Sequence, residues 1–185
     1  MGARELAWFA SAVAFAVAMA ATPGPNNAMV AASGATWGFW RTLPHMLGIS
    51  LGFPVMLVAV ALGAGELLRT RPWAHEALRW IGAAYLLWLA WRIAVARPKV
   101  SADGERRDGP AQAGGRPLGF VRAALFQWMN PKAWVIAVGA VVTYTTSSGL
   151  TLLVQAILLA AIFLVIILPT IAVWTLIGVG AARVL

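Results

Sequence analysis

Lys132, in the run QWMNPKAWV, is the residue whose chemistry is hardest to dismiss. It lies roughly fourteen residues into an apolar segment, too deep for its stem to reach an interface easily. An ammonium at the centre of a bilayer costs at least about 2.5–3.5 kcal/mol on insertion scales, so it faces a cavity or a partner. Just before it, Asn130 is a good N-cap and Pro131 a good first helical residue. Proline has no N–H to donate, so the carbonyl of Gln127 is predicted to lose its helical partner. The N–H groups of Lys132 and Ala133 are predicted to be exposed.

A second run, ATPGPNNAMV, breaks helix rules in the same way. Pro23 and Pro25 bracket Gly24, so the carbonyls of Met19 and Ala21 should lose their partners. Thr22 can cap, Pro25 suits the first position of a new half-helix, and the N–H groups of Asn26, Asn27 and Ala28 would be free. Unpaired backbone groups in hydrocarbon cost several kcal/mol each, so such breaks survive only inside protein or along a wet cavity. One proline would read as a kink. Two polar breaks, on either side of a central loop, read as one binding site.

The predicted site is therefore Thr22, Pro23, Gly24, Pro25, Asn26, Asn27, Gln127, Asn130, Pro131 and Lys132. A half-helix N-terminus aided by Lys132 suits a carboxylate. Freed carbonyls and the amide oxygens of Asn26 or Asn27 suit an ammonium. That pair of subsites describes an amino acid. Glu66 and Glu76 are the acids nearest to being inside a segment, and both lie close to segment ends. A second positive charge on the substrate would be poorly balanced, which favours neutral amino acids.

The elements that must position these residues follow from composition. The 185-residue chain is 61% hydrophobic and 11% charged, where a soluble domain carries roughly 25% charged residues. Five segments are long enough to cross a bilayer, which takes about 20 apolar residues. The first runs from about Leu6 to Ala32 with a break at 22–27, the second from Leu43 to Leu68, and the third from Trp73 to Ala96. The fourth runs from Leu118 to Val142 with a break at 130–132, and the fifth from Leu150 to Val179. The reading is an all-α, multi-pass membrane protein, with lipid as its surroundings.

Between Arg92 and Arg122 there are seven basic residues against three acids, which places the intervening loop in the cytoplasm. Arg41 is then cytoplasmic, and the N-terminus and the turn with Arg69, Arg71 and Arg79 external. Those three arginines are the exception to the rule. Basic residues scattered between apolar runs do not make a nucleic-acid face, despite the net charge of +8. Without cysteine there are no disulfides, Cys-ligated metals or thiol catalysis. No cofactor or metal is expected. The N-terminus lacks a basic n-region and a cleavage site, so the first apolar run is read as a retained helix.

The remaining polar residues have quieter readings. His45 is expected to pack with one hydrogen bond or to relay protons, and His75 and Tyr85 to pack. Gly48 and Gly52 permit close helix contact within the chain or in a dimer. Pro44, Pro54 and Pro169 are predicted to kink the second and fifth segments. Most of the ten tryptophans lie near segment ends and suit the headgroup layer, whereas Trp128 and Trp134 flank a break.

ATPGPNN and MNPKAW resemble the paired signatures of the LysE/RhtB family of bacterial amino-acid exporters, and so do GISLGF and GAAYLLWLAWRI at Gly48 to Phe53 and Gly82 to Ile93. The likeness is greatest to the subgroup of cysteine/O-acetylserine exporters and covers essentially the whole chain. It implies two inverted three-helix repeats, residues 1–97 and 118–185, joined by the loop 98–117. It also implies export of small amino acids or derivatives of the cysteine/O-acetylserine or threonine/homoserine kind across the inner membrane, driven by protons, by a homodimer. The family's pattern continues past Arg183 with a sixth helix, so five segments are expected here and a sixth is missing.

Two other classes of protein compete with this reading. A membrane-embedded enzyme would rest on Ser147, Ser148 and His45, or on a metal between the two histidines. The sequence has no H-E-x-x-H, no nucleophile turn and no intramembrane carboxylate to orient a base. A passive channel or assembly subunit would want polar residues along a whole helix face. The absence of a G-x-x-x-x-G-K-[ST] motif excludes ATP-driven transport within this chain.

Overall fold

The computed structural model describes residues 2–64, 117–145 and 151–184, with Trp80, Leu87, Trp91 and the pairs 99–100 and 106–107. The third predicted segment (apart from Trp80, Leu87 and Trp91), most of the loop 98–117, and Glu66, Arg69, Arg71, His75, Glu76, Arg79, Tyr85, Ser147 and Ser148 lie outside the described residues. Lys99–Val100 pairs antiparallel with Arg106–Arg107.

The first apolar segment forms α1 (Ala3–Ala21) and α2 (Pro25–Trp37), parted by the predicted break. Gly38 joins α2 to α3 (Phe39–Ala59) in a single residue with φ +77°, a conformation that L side chains rarely adopt. A π-helical turn, Val60–Ala64, extends α3 and holds Gly63 at φ +126°. The fourth segment forms α4 (Phe120–Met129) and α5 (Pro131–Tyr144) around Asn130. α6 (Leu152–Val184) runs for 33 residues with Pro169 inside it. Its length of about 50 Å exceeds a hydrocarbon core of roughly 30 Å, so it must tilt or stand out of the bilayer.

Three helices among the described residues are long and apolar enough to cross a membrane alone: Arg4–Ala21, Phe39–Gly63 and Leu152–Arg183. The expected five segments are thus not all seen as continuous spans. The fourth is split into pieces of 10 and 14 residues, each too short alone, and the third falls outside the described residues. The first is less divided than expected, because α1 is long enough on its own and the break sits at its end.

Polarity is arranged inside out. Leu6, Val55, Leu125, Val135, Val142 and Val165 are exposed, while Asn27, Ser33, Thr42, His45, Ser50, Gln127, Asn130 and Thr175 are buried. Exposed apolar surface on this scale marks contact with lipid. The fold is a multi-pass helical membrane protein.

Packing uses small residues where helices meet. A Cβ on Gly52 would lie 2.6 Å from the Cα of Ala124, and one on Gly48 would lie 2.7 Å from the Cβ of Ala123 and strike the carbonyl of Phe120. The G-x-x-x-G pair of α3 therefore serves contact with α4 inside the chain. On α2 and α6, Gly34 meets the backbone of Thr175, and Gly178 meets Ala31. In a bilayer such close approach supplies the dispersion contact that burial from water supplies elsewhere.

α1 and α5 run antiparallel. At one end the Trp8 indole donates to the Tyr144 carbonyl (3.1 Å) and the Tyr144 hydroxyl to the Ser11 carbonyl (3.0 Å). At the other end Lys132 reaches Thr22. About 18 Å of helix separates Lys132 from Tyr144, and α4 extends about 15 Å the other way, so the second break lies near the middle of its segment. Rings carry the packing inward from Tyr144 through Phe15 (5.8 Å) and Phe163 (6.3 Å) to Phe53 (5.0 Å).

Gly52→Val should force α3 from α4 and cost about 1–3 kcal/mol. Gly180→Ala, where a Cβ meets nothing within 4 Å, should leave stability unchanged or slightly higher. Thermal midpoints of the purified variants in detergent test this, and an unshifted Gly52→Val would contradict the close approach.

Candidate functional site

Each break is repaired by nearby side chains. At the first, the Thr22 N–H (3.1 Å) and hydroxyl (2.6 Å) both donate to the Ala18 carbonyl, so Thr22 closes α1 rather than opening α2. Gly24 is the residue before α2 and supplies no side-chain cap, while Pro25 takes the first helical position as expected. The Asn27 amide turns back and donates to the carbonyls of Ala20 (3.1 Å) and Thr22 (3.1 Å). Ala28 N–H, predicted to be free, donates to the Gly24 carbonyl (3.0 Å). Those of Asn26 and Asn27 stand in the first turn, where a helix offers no acceptor.

The second break closes on itself more completely. Asn130 Oδ1 accepts from the Lys132 N–H (3.1 Å), the capping role predicted for it. Its carbonyl accepts from Ala133 (3.0 Å) and Trp134 (3.3 Å). The Gln127 carbonyl, expected to be orphaned, accepts from the Asn130 N–H at 3.2 Å. The Trp134 indole donates to the Trp128 carbonyl (2.9 Å), and the two rings meet edge to face at 5.9 Å. The N–H groups of Lys132 and Ala133 are thus taken, contrary to expectation, because a side chain and a tightened turn reach them first. The open helix N-terminus is that of α2.

The two breaks touch. Asn26 Nδ2 donates to Gln127 Oε1 (2.8 Å), and Gln127 Nε2 returns a bond to Asn26 Oδ1 (3.3 Å) while also donating to the Ala123 carbonyl (3.0 Å). Lys132 Nζ donates to the Thr22 carbonyl. Its stem lies against Gly24, where a Cβ would come within 2.8 Å of Lys132 Cδ. Glu5 is the single acid among the described residues, and it accepts from the Gly2 N–H at the far end of α1. Lys132 therefore has no carboxylate partner among the described residues.

A cavity opens beside this junction. Gly24, Asn26, Asn27, Asn130 and Lys132 line one side of it. Thr22 and Gln127 do not line it but hold residues that do, and Pro23, Pro25 and Pro131 shape the backbone around it. The rest of its lining is apolar and includes Ile49, Phe53, Ile136, Phe163, Ile167 and Ile171, none of which the sequence marked. Apolar residues on an apolar helix carry no signal of the face they line. About 50 Å³ is open to the centre of a water-sized sphere, enough for roughly three to five waters, so the space suits a small solute.

Broken helices that meet beside a polar cavity recur at the binding sites of membrane transporters. Comparison with known proteins agrees: the family described as LysE type translocator matches residues 17–185. The chain belongs to the LysE family. It is 34% identical over 125 residues to the cysteine/O-acetylserine efflux proteins of Escherichia coli O157:H7 and Salmonella typhimurium, covering 68% of this chain and 59% of each relative. To the protein of that name from Klebsiella pneumoniae it is 32% identical over 146 residues, covering 77% of this chain and 69% of the relative. No solved structure matches significantly. The likeness to cysteine/O-acetylserine efflux proteins is the one expected from the paired motifs.

The Asn26–Gln127 bond is testable by a double-mutant cycle. Asn26→Ala and Gln127→Ala should each destabilise, and the double variant should fall short of their sum by about 0.6–1.7 kcal/mol. Additive shifts in thermal midpoint would mean that the two breaks are not joined through this pair.

Proposed function

We propose that this LysE family protein is a secondary exporter of small neutral amino acids or their derivatives in the bacterial inner membrane. The observation that carries the reading is the junction of the two breaks: an uncapped α2 N-terminus, a lysine without a carboxylate partner among the described residues, and a cavity beside both. A zwitterion supplies both halves of an exchange there. Its carboxylate takes the Lys132 ammonium and the N–H groups of Asn26 and Asn27, favoured by the helix dipole. Its ammonium takes the Thr22 carbonyl that Lys132 leaves, with Asn27 Oδ1 beside it. Both Asn27 Nδ2 hydrogens already serve carbonyls, so that oxygen is the end of the amide left to receive a donor.

The substrate subsite then comprises Thr22, Gly24, Asn26, Asn27, Asn130 and Lys132, with Pro23, Pro25, Gln127 and Pro131 holding its backbone in shape. The apolar wall suits a short side chain, and solutes of the cysteine/O-acetylserine or threonine/homoserine kind fit that description. Two inverted repeats, residues 1–97 and 118–185 about the loop 98–117, would bring the breaks together from opposite sides. Export is coupled to proton entry, and a homodimer is the assembly the reading assumes. Gly48 and Gly52 already face α4, so a dimer would need another face.

Counterflow in proteoliposomes tests the reading, with unlabelled amino acids loaded singly and labelled cysteine, O-acetylserine, threonine, leucine and lysine followed. Wild type should exchange a small neutral amino acid, and Lys132→Ala and Pro25→Ala should reduce that at least about tenfold. No exchange of any substrate by folded protein, or exchange of lysine alone, would refute it.

Gly24→Ala is subtler, because its methyl group displaces the Lys132 stem without breaking the backbone. It should raise KM several-fold with the thermal midpoint little changed. An unaltered KM would mean that the position of the ammonium does not matter to binding.

A further inference from the structure

His45 is 2% exposed, and neither of its ring nitrogens has a hydrogen-bond partner among the described residues. The ordinary expectation, a packed imidazole with one hydrogen bond, is not what the structure holds. A buried polar group left unsatisfied gives up its hydration for nothing, and each such group in a folded protein calls for an explanation.

Its place supplies one. Thr42, His45, Ile49 and Phe53 are all buried and lie at helical spacing on one face of α3. Ile49 and Phe53 line the cavity. His45 stands one turn, about 6 Å along the axis, beyond Ile49. One turn further, Thr42 Oγ1 donates to the Gly38 carbonyl (2.8 Å) and so accepts from the Ser33 hydroxyl at 3.0 Å. The buried Ser50 Oγ, also on α3, is likewise unpartnered. His45 thus stands between the solute cavity and a hydroxyl pair at the α2–α3 corner.

The charged and titratable groups around it are few. α2 carries none. Arg41 on α3, Arg122 on α4 and Arg183 on α6 are exposed, and the Tyr144 hydroxyl on α5 is bonded to Ser11. Among the described residues on these elements, that leaves Lys132, on the cavity's polar side.

We infer that His45 carries the coupling proton between the cavity and the α2–α3 corner, a role that rests on the exporter reading above. The step makes and breaks only an N–H bond: one ring nitrogen takes a proton with the cavity open to one side of the membrane and releases it on the other. A proton there adds a second cation beside a low-dielectric cavity that already holds the Lys132 ammonium. The bound solute brings an ammonium together with the carboxylate that pairs with Lys132, so the mutual exclusion that antiport needs rests on repulsion between that ammonium and a charged His45. Histidine suits the task because its unperturbed charge change falls between pH 5 and 8.

H45Q, which keeps a polar side chain but cannot carry the charge, separates the steps. Exchange at equal pH moves no net proton, whereas accumulation driven by a pH gradient does. H45Q should keep exchange at no less than about a third of wild type and lose gradient-driven accumulation at least about tenfold. Retained accumulation, or equal loss of both from folded protein, would overturn the role. Absence of exchange in wild type would instead strike the exporter reading. A readout independent of transport is deuterium exchange at the imidazole C2–H of His45, followed by mass spectrometry across pH. A titration there, shifted by added solute, supports the role; exchange too slow to show any titration overturns it.

Discussion

Hydrocarbon offers no water to a peptide group, so every N–H and C=O inside a membrane must find its partner in the protein. The rest of this structure depends on that constraint. Pro23, Pro25 and Pro131 break apolar segments, and polar side chains close by bond to backbone groups around the breaks. Asn27 reaches two carbonyls, the Trp134 indole reaches Trp128, the Thr22 hydroxyl reaches Ala18, and Asn130 reaches the Lys132 N–H. These repairs need the flanking helices to stay together. Close contacts at Gly34, Gly48, Gly52 and Gly178 hold α2 on α6 and α3 on α4, with the breaks between them.

The two breaks resemble each other in sequence but not in chemistry. Asn130 caps α5 with its own side chain, which leaves that helix start with little to offer a ligand. Gly24 cannot cap α2, and Asn27, one turn inside, is turned back toward α1. One end is closed and the other open. The closed end presents Lys132 and the open end presents backbone donors, so the anion subsite of the proposed exporter is assembled from one contribution of each half.

Much of this was legible in the sequence because proline and asparagine act locally. A proline removes its own N–H wherever it sits, so the positions of the breaks, Pro25 at the start of α2 and Asn130 as a cap follow from a few residues each. What the sequence did not show was the choice of replacement partner. The Lys132 and Ala133 N–H groups could not be known to be occupied, because that depends on how tightly the chain turns at Asn130. The Asn26–Gln127 bond joins residues 101 apart, and no local rule reaches so far. The apolar wall at Ile49, Phe53 and Phe163 was invisible for another reason: lipid-facing, core and cavity-lining positions all select the same residues.

The state of Lys132 decides how such a site can work at all. Had one of the described helices carried an aspartate opposite it, the pair would satisfy itself, and a buried ion pair is strongly destabilised when one partner is taken away. A solute carboxylate would then have to displace a charge to bind. Here the ammonium rests on the Thr22 carbonyl, a neutral acceptor, and an incoming carboxylate is the better partner. The carbonyl it leaves is in turn an acceptor for the solute's ammonium. Binding on the proposed reading is therefore an exchange of partners with no net gain of unpaired charge. An exporter needs that balance, because a site that held its solute by an unopposed charge would be slow to release it.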